Sequence, residues 1–206
     1  MLYHSAELFN LSWQRAWSNL ELCPPKNTAA KLVAAYSQSH RHYHTCQHLQ
    51  ECLTYFSEVV DLVKFPGEVE IALWFHDAVY ELRANDNEKR SADWALEVLS
   101  CAGASDEQLS RVGSLIMATC HQAEPSESDQ RLLVDIDLSI LGANPARFAE
   151  YDTQVGLEYH WVPKWIYRSK RKAVLRNFLD RPQIYGTAHF HERLEAQARV
   201  NLAACI

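Results

Sequence analysis

Glycine and proline together supply only 13 of the 206 residues, six and seven respectively, and they fall between segments of helical periodicity. These two residues are the strongest local punctuation a chain has, so their scarcity leaves long uninterrupted stretches. Few long alternations of apolar and polar residues occur, and strands are poorly supported. The sequence therefore predicts an all-α fold, an irregular helical bundle with short connections. Expected helices cover about 5–20, 28–39, 45–63, 68–80, 86–102, 105–121, 129–141, 145–160, 163–180 and 188–204. Cys23-Pro24-Pro25, Phe65-Pro66-Gly67 and Gly142 mark stops, Asn85 or Asp86 is an N-cap, and Gly103 is placed as a C′ residue.

Hydrophobic residues make up 48% of the chain, ample for a sizeable core and against disorder. The formal net charge of −6 gives no bulk support for a nucleic acid polymer or an anionic membrane as partner, while leaving room for a local basic patch. No apolar run reaches the roughly 18 residues that a membrane span needs. The N-terminus lacks a basic segment followed by an apolar one, so no signal peptide is expected. Six cysteines are scattered without a CxxC pair, which predicts reduced thiols in a cytoplasmic protein.

The segment Ala72-Leu73-Trp74-Phe75-His76-Asp77-Ala78-Val79-Tyr80 reads as a helix apolar nearly all round, hence buried, with an adjacent His and Asp in its middle. Such groups cost several kcal/mol inside a protein unless hydrogen-bonded, paired or metal-bound. Taken alone, the dipeptide equally describes a core histidine beside a capping aspartate. Two other segments supply partners. In Arg41-His42-Tyr43-His44-Thr45-Cys46-Gln47-His48, a helix would put His44 and His48 on one face, suited to a metal or to one ligand plus one acid/base group. In Leu132-Leu133-Val134-Asp135-Ile136-Asp137, helical spacing turns Asp137 inward with Leu133, Ile140 and Leu141, and gives Asp135 surface or indirect contacts. A buried Asp137 paired with an arginine is the alternative. A mixed histidine and carboxylate set suits Mn²⁺, Fe²⁺, Co²⁺, Ni²⁺, Zn²⁺ or Mg²⁺ and argues against a thiolate structural zinc site.

The order His … His-Asp … Asp resembles the HD superfamily of metal-dependent phosphohydrolases. Tyr43-His44-xxx-His48 is similar to a segment of the cyclic-nucleotide phosphodiesterases in that superfamily. The combination of RHYHT, WFHDAVY, DNE-xx-SA and DxDLxILG segments resembles a small bacterial set of predicted HD phosphohydrolases. So does the stretch Arg181-x-x-Ile184-Tyr185 … Glu195-x-x-Ala198-Arg199-x-Asn201-Leu202. The resemblance runs from about residue 40 onward. It implies an HD-domain-like bundle forming one domain, with the metal site within about 40–142 and a C-terminal helical extension over about 143–206. It implies His48, His76, Asp77 and Asp137 as ligands of a divalent ion and His44 as general acid. Tyr80 stands where some HD nucleotidases carry a carboxylate, with Glu81 and Glu88 as replacements. Val155-Gly156-Leu157 stands where the bacterial set is expected to carry a basic residue.

Three further residues are candidates. Glu88 favours a helix N-terminus, or serves the active site. His121 ends a helix, or approaches the metal cluster. Arg171, in the basic run 168–172, faces solvent, or grips a phosphate bidentately. Trp13, Trp17, Trp94, Trp161 and Trp165 read as core. The function expected is hydrolysis of a phosphoester of a small nucleotide-like or phosphorylated metabolite by metal-activated water. The alternatives are an inactive HD-type module that binds a nucleotide or metal, and a purely structural helical protein.

Overall fold

The computed structural model describes residues 2–121 and 125–206, and Pro125, in the expected loop, falls among them. Among these, ten α-helices and two 3-10 segments occur and no strand. The helices are α1 (Leu2–Asn19), α2 (Thr28–Tyr36), α3 (Cys46–Val59), α4 (Pro66–Phe75), α5 (Asn87–Cys101), α6 (Asp106–Ala118), α7 (Ser128–Asp137), α8 (Pro145–Glu158), α9 (Lys164–Leu179) and α10 (Ala188–Ala204). The 3-10 segments are Val60–Leu62 and Leu138–Gly142. The expected all-α class is what is found. Asp86 is the N-cap of α5, without a side-chain hydrogen bond. Gly103 takes φ +89°, and Ala104 N donates to Leu99 O, as a Schellman stop requires.

The chain divides into two compact units, Met1–Val134 and Asp135–Ile206. The first unit is built around α4, whose residues from Gly67 to Phe75 are all buried. It packs against α1, α3, α5 and α6. A Cβ on Gly67 would meet Ala16 O, Asn19 Cβ and Leu20 N at 2.9 Å, so only glycine permits this approach of α1 to α4. Two carboxylates lie on this otherwise apolar helix. Glu68 accepts from Arg111 Nε and Nη2 at 2.6 Å each. Glu70 accepts from Arg15 Nε at 2.9 Å and from Ser12 Oγ at 2.6 Å, and that hydroxyl in turn accepts from Trp74 Nε1 at 2.9 Å. Each buried charge is thereby paired, as its desolvation demands.

The expected helix over 68–80 ends early, at Phe75. The Arg41 guanidinium donates to Asp77 O at 2.6 Å and to Ala78 O at 2.9 Å. Val79 N donates to Ser91 Oγ at 3.0 Å, and His40 Nε2 lies 2.8 Å from Tyr80 O. Tertiary partners take the backbone groups that further helical turns would need. His76 and Asp77 consequently sit in a turn at the end of α4 rather than mid-helix.

The second unit opens with Asp135, Ile136 and Asp137, the last residues of α7. Asp135 is buried, which removes the surface half of its expected role, surface or indirect contacts. Its oxygens accept from Gly186 N and Thr187 N at 2.8 Å and from Thr187 Oγ1 at 2.6 Å, which fastens the start of α10. Burial pushes this carboxyl above its usual range, and the Thr187 and Gly186 donors pull it back. Asn201 Nδ2 donates to Leu141 O and Ala143 O at 2.8 Å, and Tyr185 Oη donates to Leu138 O at 3.1 Å. Glu195 accepts from Ile184 N and Arg199 Nε. The C-terminal motif residues therefore hold the 3-10 segment that follows Asp137.

The tryptophan reading needs correction. Trp17 is buried, Trp13 and Trp94 are half-buried, but Trp161 and Trp165 are 41% and 75% exposed. The reason is local: α9 buries only Leu175, so no neighbouring element covers the face at its start.

Candidate metal centre

His48 stands in the first turn of α3, which Thr45 caps by accepting from Gln47 N. It lies on the same apolar face as Leu49, Cys52 and Phe56, and is 2% exposed. His76, 1% exposed, ends α4. The two Nε2 atoms are 3.1 Å apart. Asp77 Oδ2 lies 3.2 Å from His76 Nε2 and 3.5 Å from His48 Nε2. Ligands at about 2.1 Å from a common cation are separated by about 3.0 Å at octahedral and 3.4 Å at tetrahedral angles, which is the range seen here.

The ring orientations agree with that. His76 Nδ1 is 2.8 Å from Leu73 O. A carbonyl only accepts, so Nδ1 carries a proton, and in the neutral ring Nε2 presents its lone pair. His48 Nδ1 is 3.0 Å from Tyr43 Oη, a hydroxyl able to donate or accept. When both Nε2 lone pairs face one cation, Tyr43 accepts from His48 Nδ1–H. When the histidines instead bond to each other, His48 Nε2–H donates to His76 and Tyr43 Oη–H donates to Nδ1. Burial alone would raise the Asp77 carboxyl, but the nearby His76 and His44 imidazoles and hydrogen bonds from His48 and His76 hold it well below the usual carboxylate range. Tyr36, beneath the turn, accepts from Asp77 N at 3.3 Å, and burial pushes its hydroxyl up to about 12.

Within the first unit, His48, Cys52 and His76 offer one ligand atom each, all within 4.8 Å of one another, a group that could hold a metal ion. Asp137 is half-buried at the end of α7. Cys52 was not anticipated, although it stands one helical turn after His48. Its Sγ lies 3.7 Å from His48 Nε2 and 3.8 Å from Nδ1. A sulfur bound to a cation on the Nε2 lone pair would sit roughly 5 Å from Nδ1, on the far side of the ring. The near-equal distances put this sulfur beside the imidazole, as a packing neighbour.

The remaining candidates distribute as follows. His44 precedes the Thr45 cap, so it is in a turn and not on α3 as expected. It still reaches the site: its ring centroid is 6.0 Å from that of His48, and it stacks on Tyr80 at 4.1 Å and 25°. Arg41 Nη1 donates to its carbonyl at 3.2 Å. Glu88 is half-buried in the first turn of α5, and Glu81 is exposed. His121 follows α6 with φ +54°. Neither Glu88 nor His121 belongs to the group around His48 and His76. Burial first and then the Glu88 charge push the Cys120 thiol up. Arg171, in the second unit, donates from Nε to Asp152 at 3.0 Å and lies 4.9 Å over the Tyr151 ring, tying α9 to α8.

No family model, curated protein or solved structure matches this chain.

Proposed function

We propose that the chain is a metal-dependent phosphohydrolase acting on a phosphoester of a small nucleotide-like or phosphorylated metabolite. The observation that carries this reading is the triangle of His48 Nε2, His76 Nε2 and Asp77 Oδ2, with sides of 3.1, 3.2 and 3.5 Å. With Asp137, these residues would hold a divalent ion. A bound ion supplies Lewis acidity and a water of lowered pKa. The chain's own groups do the rest. Leu73 O and Tyr43 fix the two imidazoles. Asp77 supplies negative charge and an oxygen able to orient a water. His44, stacked on Tyr80 at the rim, is the group to protonate a leaving oxygen.

Elemental analysis of protein purified without chelator tests the metal. Near-stoichiometric metal that disappears in folded His76→Ala and Asp137→Ala supports the site. No metal after reconstitution with Mn²⁺, Ni²⁺ or Fe²⁺ sinks it. A panel of phosphomonoesters and cyclic nucleotides, with His44→Ala as control, then tests the chemistry. The pairing of Arg171 with Asp152 favours a second reading, an inert module that binds metal or nucleotide without turnover. Metal without hydrolysis across the panel would select it.

A further inference from the structure

Helix α9 carries Lys164, Arg168, Lys170, Arg171, Lys172 and Arg176 and no carboxylate. The chain's net charge is −6, so six positive charges here leave −12 for all other residues. The cations are not scattered around the helix. At 100° per residue, Trp165, Arg168, Lys172 and Arg176 fall within roughly 80° of arc, forming a stripe about 16 Å long. All four are exposed. The three cations follow one another at about 6 Å along the axis. Lys172 Nζ donates to Ile206 O at 2.6 Å, while Arg168 and Arg176 reach into solvent. Arg171 is on another side, held by Asp152.

Aromatic rings stand at one end of this stripe. Trp165 is 75% exposed, and Tyr159 and Trp161 in the preceding turn are 38% and 41% exposed. An exposed indole among exposed cations is the combination that single-stranded nucleic acid binders use, rings for the bases and positive charge for the phosphates. A lipid surface asks for something different, a continuous apolar face on the helix. Val174, the other large apolar residue of α9 that is exposed, lies nine residues from Trp165 and therefore on the opposite side.

We propose that α9 and the turn before it bind single-stranded nucleic acid without sequence preference, Trp165 stacking on a base and Arg168, Lys172 and Arg176 meeting successive phosphates. This surface is independent of the metal centre and of the hydrolase reading.

The test is fluorescence anisotropy of a labelled oligothymidine of about 15 residues with the full chain, titrated over a range of salt. Binding with a log–log salt slope of about −2 is expected for three phosphate contacts on a single strand. Arg168→Gln, Lys172→Gln and Arg176→Gln together should flatten that slope towards zero. Trp165→Ala should weaken binding at least about fivefold while leaving the slope in place. All four side chains are exposed, and circular dichroism checks that each variant folds. No binding at low salt overturns the proposal, and so does binding that neither variant reduces. Capture by phosphatidylglycerol vesicles without affinity for the oligonucleotide would also overturn it and make α9 a membrane-facing helix.

Discussion

Tyr43 shows how a residue outside the ligand group governs it. Its hydroxyl is the partner of His48 Nδ1, and groups of this kind set the tautomer and basicity of a metal-binding imidazole. Tyr43→Phe should weaken metal affinity about 10- to 100-fold in a competition titration, with the fold intact. Cys52→Ala should leave that affinity nearly unchanged. Cobalt-loaded wild type should lack a thiolate charge-transfer band; its presence would make Cys52 a ligand after all. The meeting of His48 with His76 and Asp77 was legible in the sequence because polar residues in an apolar setting need partners. Tyr43 and Cys52 were not. Their roles depend on which edge of the His48 ring each one meets, and that is set by χ angles rather than by spacing. Of the two roles left open for Asp135, the surface one fails, and its partners Gly186 and Thr187 were not legible because they lie some fifty residues away.

At the scale of elements, α4 concentrates the energetics of the first unit. Arg15→Ala would leave Glu70, which is wholly buried, with only Ser12 as a side-chain partner. Removing one member of a fully buried pair costs about 3–5 kcal/mol, and because Arg15 is one-third exposed we expect about 2–3 kcal/mol by urea denaturation. Gly67→Ala forces a Cβ against the backbone of α1 and should cost about 1–3 kcal/mol by urea denaturation. Helix existence and order followed from periodicity and the placing of glycine and proline. Helix ends followed only where the capping residue is local, as with Gly103. The end of α4 was not legible, since Arg41, Ser91 and His40 unwind it from elsewhere in the chain. The start of α3, expected at about Thr45, falls there because its cap is local, with His44 outside.

For the molecule as a whole, the metal centre links ion binding to stability. A cation that binds only the folded chain stabilises it by about 2.7 kcal/mol at a hundredfold excess over Kd. For a chain of 206 residues that corresponds to a rise in Tm of about 5–10 °C. Differential scanning calorimetry with and without Mn²⁺ should show this shift in the wild type and lose it in His76→Ala. An equal shift in both would place the stabilising ion elsewhere. The charge distribution matters at this scale too: a net value of −6 conceals a helix of +6. Bulk composition averages over such segregation, which is why it spoke against polyanionic partners while α9 speaks for one. Among the described residues no helix is long and apolar enough to cross a membrane, as the sequence predicts.

Arg41 is assigned no part in ion binding or proton transfer. Yet one guanidinium holds the carbonyls of His44, Asp77 and Ala78. It works as a calliper, fixing the gap between the turn that bears the acid and the turn that bears the carboxylate. A flat ion of fixed width can set that gap, whereas a lysine in its place brings one point charge on a flexible stem and sets nothing. In the proposed reading, the spacing of the reacting groups is therefore written in a side chain assigned no part in the reaction. Arg41→Lys would loosen both turns together while leaving every group assigned to the chemistry in the chain.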